Sequence, residues 1–514
     1  MTTNHDFKFD KRRAGILLHI TSLPGAPGNG DLGRQAYYFI DFLKECGLSV
    51  WQTLPICPPH KSTDLSPYQC QSAHAGNPLL ISLGGLFDKG WLSNTEKLEF
   101  SQQQNTIQYR YDCLKKAYAG FSERAEEDDR KSYKKFVLEQ AYWLEDYALF
   151  RALKDKHEKE IAWWDWELKY RVHAQALEQV QTDETLKNAF EQYRFEQFVF
   201  FSQWKKLKDY AHQNGVSLFG DMPIYVAEDS VDVWAKGENF LLDETTGRAK
   251  FVAGVPPEFF APNTGQCWGN PIYNWKNLQA DGFKWWIERF RTLHQLFDLV
   301  RLSHFCGFQE CYAIPNTDPL FIKKGHWMKG LPGEALFNTL QKEQENWDSP
   351  LLLVAETVGM KSKTEVLKLR DEFKFPGIRI LQLGFDSGPL NYTNSDNPHL
   401  PHNIGAHHVA YTGTHDNNTT LGWFQALEPD LQQKVCEYLH ANPNDMPWSL
   451  IEKAFETTAS LVVIPMQDIL AGDARQRMNI PGTSKGNWRW RFNWRDVSSQ
   501  SKEQLKEFVE RFGR

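Results

Sequence analysis

No segment of this 514-residue sequence is long and apolar enough to cross a membrane. A spanning helix needs about 20 consecutive apolar residues. The opening residues, MTTNHDFKFDKRR, also lack the apolar stretch of a secretory signal. We therefore expect a cytoplasmic protein that has no membrane partner.

Charge of one sign is scarce as well, because 65 acidic and 58 basic residues leave a net charge of only −7. That balance gives no electrostatic reason to expect nucleic acid as a partner and favours a neutral one. The eight cysteines form no C-x-x-C pair, which predicts reduced thiols rather than disulfides or structural zinc. The 41% hydrophobic content excludes a disordered chain.

Aromatic residues, by contrast, are abundant at 14% of the chain, with 19 tryptophans. Flat rings with an apolar face and a polar edge suit either a packed core or the faces of sugars. We expect most of them to lie in the core.

Eight short, nearly continuous apolar runs predict strands that are covered on both faces. They span residues 14–20, 48–55, 216–222, 298–304, 351–357, 377–385, 408–415 and 460–467. Amphipathic helical stretches such as 34–46 and 195–214 lie between several of them. This alternation predicts an α/β fold, a (β/α)₈ TIM barrel with large inserted, mostly helical subdomains.

The length of the chain predicts where those insertions lie. A barrel of this kind needs about 250 residues, so we expect residues 1–514 to form one catalytic-type barrel with half of the chain inserted. The largest gap between strands, approximately 84–198, is helical and charged in pattern and predicts an inserted helical subdomain. Smaller insertions are expected near the barrel mouth at about 236–290 and 308–345.

Chemistry in such barrels takes place at the C-terminal ends of the strands. The polar residues there are His19, Asp221, Arg301, Ser303, His304, Glu356, Asp386, His415, Asp416, Gln467 and Asp468. Glu356 and Asp416 each close an apolar strand, and glycosyl transfer uses a pair of carboxyl groups. The alternative is that these two residues cap helices or turns, and the pattern alone leaves both interpretations open.

Two other motifs argue less for a site. The segment 28–33, GNGDLG, matches G-x-G-x-x-G between a predicted strand and a predicted helix. The proline-containing loop before it stands where a nucleotide site needs a tight phosphate turn, which argues against nucleotide binding. The pairs His407–His408 and Cys306–Cys311 have no further ligands at metal spacing, so no metal site is expected.

Seven stretches carry a resemblance to a known family. They are AGILLHITSLPG (14–25), SPYQCQSAHAGNPLLI (66–81), GDMPIYVAEDSVDVWA (220–235), GVPPEFFAPNTGQCWGNPIYNW (254–275), FPGIRILQLGFD (375–386), LPHNIGAHHVAYTGTHDNNTTLGW (400–423) and RMNIPGTSKGNWRWR (477–491). Together they resemble the amylomaltase, or disproportionating enzyme, family of 4-α-glucanotransferases in the α-amylase superfamily, over nearly the whole chain. The resemblance implies a (β/α)₈ barrel, no cofactor, and retaining transfer of α-1,4-glucan segments between maltooligosaccharides.

The resemblance also implies roles for individual residues. Glu356 corresponds to the general acid/base, and Asp416, beside His415, to the carboxylate that stabilises the transition state. The implied substrate-binding residues are Asp221, Arg301, His304, His415, Tyr68, Gln266, Trp268 and Asn270. Strand parity supports Arg301, because Arg301 and Ser303 are two residues apart and therefore point to the same face.

The fourth strand departs from the family pattern. The family reads R-I-D-H-F-R-G-F, whereas this chain reads RLSHFCGF over 301–308, so Ser303 stands where the family has its nucleophilic Asp. A serine hydroxyl carries no charge, and its alkyl glycoside would be too stable an ether to turn over. Two readings follow: a family enzyme with weak, altered or abolished activity, or a catalytically impaired protein that binds glucans.

Further departures surround this position. Neither Asp298, on the opposite strand face, nor Glu310, beyond the strand end, is a convincing replacement for the nucleophile. The family pattern is also changed at Cys306, Thr357, Asn418, Cys311–Tyr312, Glu258 and His74. The cluster indicates a naturally diverged site rather than a single engineered change.

Overall fold

The structure is a computed structural model that describes residues 7–25, 28–93, 106–157, 161–257, 265–317, 322–358, 364–385 and 395–514. Eight parallel strands close into a barrel, in the spatial order β1-β2-β3-β6-β9-β10-β11-β12. They are β1 Arg13–Leu17, β2 Val50–Gln52, β3 Ser217–Met222, β6 Leu299–Leu302, β9 Leu352–Ala355, β10 Gly377–Ile380, β11 His408–Tyr411 and β12 Leu461–Pro465. This confirms the predicted (β/α)₈ barrel.

Each barrel strand overlaps its predicted apolar run, but all except β3 end two to five residues before the run does. Beyond β6 and β10 the chain turns into the short 3₁₀ segments Phe305–Phe308 and Leu381–Gly384. The apolar side chains that continue each run pack in these turns, and apolar periodicity cannot distinguish a buried turn from a buried strand.

Alternating residues of each strand enter different cores, which explains the continuous apolar runs. On β12, Leu461 and Val463 pack inside the barrel, whereas Val462 and Ile464 pack against the surrounding helices. On β6, Leu299 points inward. Both faces are covered by apolar partners, as expected for a parallel barrel.

Helices cover the barrel and build its insertions. Among the described residues, the helices longer than one turn are Arg34–Glu45, Leu83–Asp88, Thr106–Arg124, Glu127–Glu139, Ala141–Lys156, His173–Thr182, Glu184–Gln213, Val231–Ala235, Trp275–Ala280, Lys284–Leu296, Gly333–Gln344, Thr364–Glu372, Thr420–Gln425, Pro429–Leu439, Trp448–Glu456 and Ser499–Phe512. Single-turn helices are Leu168–Arg171 and Met466–Ile469.

The longest helix, Glu184–Gln213, joins the insertion to the barrel. Asp183 caps its N-terminus by accepting from the backbone N–H groups of Thr185 and Leu186 at 3.0 and 3.1 Å. Its C-terminal half packs on the barrel, where Trp204 donates to the carbonyl of Leu296 at 2.8 Å. The boundary expected near residue 198 falls inside this helix, and the division into subdomains stays a prediction.

A second, antiparallel sheet lies beside the barrel mouth and was not predicted. Its strands are β4 Phe251–Val255, β5 Gln266–Pro271, β7 Glu310–Pro315 and β8 His326–Lys329, in the order β5-β4-β7-β8. The two smaller predicted insertions meet in this sheet, because β4 pairs with β7 from beyond β6. Because β5 and β6 lie between β4 and β7 in the chain, no hairpin turn connects these two strands, and the sequence therefore lacks the turn motif that would predict their pairing.

The glycine-rich segment 28–33 is part of the packing. A side chain at Gly30 would lie 2.1 Å from the carbonyl oxygen of Ile20. Asp31 accepts from the backbone N–H of Gly33 at 3.0 Å and pairs with the buried Arg110 at 3.2 Å. Gly30 thus permits close packing within the first barrel loop, and Asp31 ties this loop to the insertion through Arg110.

None of the eight cysteines, all of which lie in described segments, forms a disulfide. Among the described helices, none combines the length and the apolar character that a bilayer crossing needs. The described residues also contain no group of three or more His, Cys, Asp or Glu side chains arranged to hold a metal ion.

Candidate active site

A cavity of about 730 Å³ opens at the C-terminal ends of the barrel strands. Ten of the residues named from the sequence line it: Tyr68, Gln266, Trp268, Asn270, Arg301, Ser303, His304, Glu356, His415 and Asp416. Asp221, the remaining residue to which the family resemblance gave a role, does not line the cavity but is buried next to Arg301 and Tyr68, which do. A volume of this size is within the range of ligand pockets in proteins.

Arg301 links two carboxylates at the base of the cavity. Its Nη1 donates to Asp221 Oδ2 and its Nη2 to Glu356 Oε1, both at 2.5 Å. The barrel positions the first pair directly, because Asp221 and Arg301 are register partners on β3 and β6. Burial opposes the charge on Arg301, but the two carboxylates hold its pKa well above the usual range. Arg301 is therefore a permanent cation in this site.

Glu356 follows β9 and has both carboxylate oxygens occupied by donors. Oε2 accepts from the backbone N–H of His304 at 2.7 Å and from the Ser303 hydroxyl at 3.4 Å. Burial raises the pKa of Glu356, but the charge of Arg301 and the two stronger hydrogen bonds outweigh it and lower the pKa below its usual range. Glu356 is ionised at neutral pH in the ligand-free cavity.

Asp416 is fixed by a different set of donors. Its Oδ1 accepts from Asn479 Nδ2 at 2.6 Å, and its Oδ2 lies 3.3 Å from His415 Nε2. Arg477 holds the backbone by donating to the carbonyl of Asp416 at 2.8 Å. Burial raises the pKa of Asp416, but His415 and Asn479 outweigh burial and lower it. The arrangement keeps one negative charge facing the cavity.

Two aromatic side chains line the cavity beside histidines. Tyr68 donates to Asp221 Oδ2 at 2.7 Å, and its ring stacks on His415 with centroids 5.1 Å apart. The ring of Trp268 lies nearly perpendicular to that of His304, with centroids 4.8 Å apart. The cavity therefore presents both apolar ring surface and polar donors, a combination that suits carbohydrate.

Ser303 lies at the end of β6, where the chain has no carboxylate. Of the described residues that line the cavity, the carboxylates are Glu356 and Asp416. Asp298 lies at the opposite end of β6, where its two oxygens accept from His212 at 2.9 Å and from the Leu218 N–H at 2.7 Å. Glu310 begins β7 and does not reach the described cavity wall. Neither residue replaces a carboxylate at Ser303.

Cys306 contacts the same corner of the cavity. Its Sγ lies 3.1 Å from His304 Nε2. His304 has the left-handed backbone angle φ = 51°, which turns the chain sharply after Ser303. The turn directs the backbone N–H of His304 towards Glu356 instead of along the barrel ladder.

Three further polar strand-end residues among those described, His19, Gln467 and Asp468, do not line this cavity. His19 contacts Thr53 at 3.1 Å, and burial together with His415 lowers its pKa to about 3. Asp468 accepts from the hydroxyls of Thr412 and Thr420, both at 2.6 Å, and ties neighbouring loops together. With Gln467 these residues border a separate cavity of only about 20 Å³. Asp386 lies outside the described residues.

Asn479 and Arg477 were not identified as site residues from the sequence. Both stand in the stretch 477–491 that carried part of the family resemblance, so a signal for them existed. Neither residue stands at the end of a barrel strand or belongs to the carboxylate pair, so a search for polar residues at strand ends does not find them. Trp488 lines the cavity from the same stretch.

Comparisons with known proteins agree with this architecture. A family model described as 4-alpha-glucanotransferase matches residues 18–497. The chain is 42% identical to a 4-alpha-glucanotransferase of Synechocystis sp., covering 98% of both chains, and 42% identical to one of Thermus thermophilus, covering 97% of this chain and 98% of that one. It superposes with a TM-score of 0.89 on an amylomaltase of Streptococcus agalactiae in complex with acarbose, at 34% identity, covering 98% of this chain and all of that one.

Proposed function

The chain belongs to the 4-alpha-glucanotransferase family, and from this premise we propose that its cavity binds α-1,4-glucans and serves glucan transfer between maltooligosaccharides. The observation that carries the proposal is the convergence of Arg301, Glu356 and Asp416 on one aromatic-lined cavity at the barrel mouth. Neutral, hydroxyl-rich chains require this mixture of ring faces and charged donors or acceptors.

We assign Glu356 the role of general acid/base and Asp416 the role of the charge that stabilises an oxocarbenium-like transition state. The hydrogen bonds to both oxygens of Asp416 support this role, because they make it a fixed charge rather than an attacking group. Arg301 positions Glu356. No cofactor is part of the proposal.

A second candidate function is glucan binding without turnover of α-linked donors. Ser303 favours it, because a hydroxyl at the end of β6 leaves a retaining double displacement without its nucleophile. The ionised Glu356 favours it as well, because a general acid must hold a proton when the donor bond breaks.

Product analysis with maltotriose separates the two candidates. The unmodified chain is compared with Ser303→Asp and Glu356→Gln by chromatography of the products. Glucose together with longer maltooligosaccharides from the unmodified chain, lost in Glu356→Gln, would establish a working transferase. Products from Ser303→Asp alone would establish that the serine blocks transfer in an otherwise competent site.

Binding is tested separately by calorimetry with maltoheptaose, which does not depend on turnover. Heat of binding at millimolar ligand is expected, and its absence would reject the glucan-binding cavity altogether.

An anion such as formate tests the space at Ser303, because an external carboxylate that enters there should restore reaction of an α-glucosyl donor with a good leaving group. NAD and ATP are expected to give no thermal stabilisation.

We also propose a cytoplasmic location, which is tested by fractionating cells that express the chain at its natural level.

The division of the chain into a barrel, a helical insertion near 84–198 and smaller insertions near 236–290 and 308–345 is a further part of the proposal. Limited proteolysis, with cleavage sites determined by mass spectrometry, tests these boundaries.

A further inference from the structure

A double displacement first cleaves the donor bond and then forms the product bond, and the pair Glu356 and Ser303 suits only the second of these steps. The first half needs a protonated acid and a nucleophile, whereas the second half needs a base and a donor already activated on the β face of C1. Here the carboxylate of Glu356 is ionised, and the group 3.4 Å from it is a neutral hydroxyl. The cavity therefore has the groups for bond formation and lacks those for cleavage of an α-glucan.

We propose that this chain forms α-1,4-glucosidic bonds from β-glucosyl donors that carry a small anionic leaving group at C1, with Glu356 as base and the Ser303 hydroxyl as donor to the leaving group. The inference rests on the second candidate function proposed above, a cavity that binds glucans without turnover of α-linked donors. A β-glycosyl fluoride is the simplest such donor, since its C1–F bond points where a β-linked enzyme intermediate would attach.

In the proposed reaction the 4-hydroxyl of the acceptor attacks C1 from the α face. The C1–O bond forms while the C1–F bond breaks, and fluoride leaves with the bonding electron pair. The proton of the acceptor hydroxyl passes to Glu356, which returns it to water. Fluoride needs no protonation to depart, so the reaction has no step that requires an acid.

The surroundings of Glu356 support its role as the base. Arg301 Nη2 and the backbone N–H of His304 bind opposite oxygens of its carboxylate and stabilise the ionised form. Both contacts come from β6 and the turn that follows it, and they are independent of any substrate. The base is thus already in its working state before a donor binds.

The position of Ser303 supports its contact with the leaving group. Its side chain lines the cavity on the same inward face as Arg301. Its hydrogen bond to Glu356 is long at 3.4 Å, so rotation of the hydroxyl towards a departing anion sacrifices little. With no nucleophile at this position, the α-linked product is not cleaved again and accumulates.

The test uses β-maltosyl fluoride as donor and p-nitrophenyl α-maltoside as acceptor with the intact chain. A fluoride electrode follows donor consumption, while chromatography and NMR identify the linkage of the product. We expect fluoride release above the spontaneous rate and accumulation of α-1,4-linked product. The α-maltosyl fluoride should give neither, because its leaving group lies on the wrong face.

Variants separate the two roles. Glu356→Gln should abolish synthesis, whereas Ser303→Ala should slow it by roughly tenfold through loss of the hydrogen bond to the departing fluoride. The rate of the unmodified chain should fall as pH drops through the pKa of Glu356, because protonation removes the base. A rate that rises towards acid pH, or Ser303→Ala as fast as the unmodified chain, would contradict the assigned role of the corresponding residue.

Fluoride release no faster than that of Glu356→Gln would overturn the inference. If maltoheptaose still gives heat in the calorimeter, that result rejects synthesis and leaves the glucan-binding function intact. If it gives no heat, the binding function fails, and the inference that rests on it fails too.

Discussion

The two carboxylate-bearing corners of the cavity differ in how they are held. At the end of β11, Asp416 accepts from His415 and Asn479, and Arg477 fixes its backbone. At the end of β6, Ser303 offers only a long contact to Glu356, and Cys306 and His304 contact each other beside it. The corner at Asp416 holds a hydrogen-bonded charge, whereas the corner at Ser303 presents a neutral hydroxyl.

This difference teaches that the two corners depend on different segments of the chain. Asp416 is held by the adjacent His415 and by Asn479 and Arg477 from a distant loop, whereas the Ser303 corner is built by β6 and the turn after it. On the hypothesis that Ser303 departs from the family pattern, a single substitution there tests whether the whole corner or only one side chain decides turnover.

The largest expected effect is that of Ser303→Asp. Removal of a catalytic nucleophile can cost on the order of 10⁶-fold in kcat, so we expect a gain of at least about 10³-fold in maltotriose disproportionation even with the neighbouring departures present. Ser303→Asn is the matched control, because it has nearly the same size and no charge. Equal rates for the two variants would show that a carboxylate at this position is not what the site lacks.

A second effect concerns the pH dependence of that variant. A carboxylate at 303 places a like charge beside Glu356 and should raise its pKa, so that the acid form persists at higher pH. We expect the high-pH limb of the kcat/KM profile of Ser303→Asp to lie above the pKa of Glu356 in the unmodified chain, measured by NMR titration. A limb at the same pH as that pKa would contradict coupling between the two positions.

Asn479→Ala sharpens the comparison from the other corner. Loss of a donor to Asp416 should lower kcat of the Ser303→Asp variant by about 10- to 100-fold, below the loss of 10²–10³ seen for a donor that contacts the reacting group itself. KM should change little, because Asn479 acts through Asp416. Asn479→Asp, which places a like charge there, should be worse than Ala, and an unaltered kcat in both variants would exclude the positioning role.

The smallest expected effect is that of Trp268→Ala on binding. Loss of one ring face should weaken maltoheptaose binding by about 1 kcal/mol, or roughly fivefold in Kd, by calorimetry. Trp268→Phe keeps a ring, so its Kd for maltoheptaose should lie between those of the unmodified chain and of Trp268→Ala. Tighter binding by the alanine variant would mean that the ring blocks the groove rather than lining it.

Much of the fold was predictable from local pattern. Strands such as β12 (Leu461–Pro465) are continuously apolar because alternate residues enter two different cores, and that property shows in the sequence itself. That Arg301 and Ser303 point to the same face followed from strand parity. The ends of strands were less predictable, because the turn Phe305–Phe308 is as apolar as the strand before it.

The candidate site divides in the same way. That Glu356, His415 and Asp416 lie at one mouth follows from their places at strand ends in a parallel barrel. The contacts of Asn479 with Asp416 and of β4 with β7 join segments that are far apart in the chain, and no periodicity encodes such a meeting.

The sequence by itself determined the barrel, the approximate positions of its strands, the family and the serine at position 303, because each depends on residue identity or on local spacing. Only the tertiary structure decided the ionisation of Glu356, the two donors that fix Asp416 and the second sheet at the mouth. The physical reason is that pKa and hydrogen bonding depend on burial and on charges brought within a few ångströms by folding. Except for the contact of Asp416 with its neighbour His415, these distances arise between segments that do not adjoin in the chain.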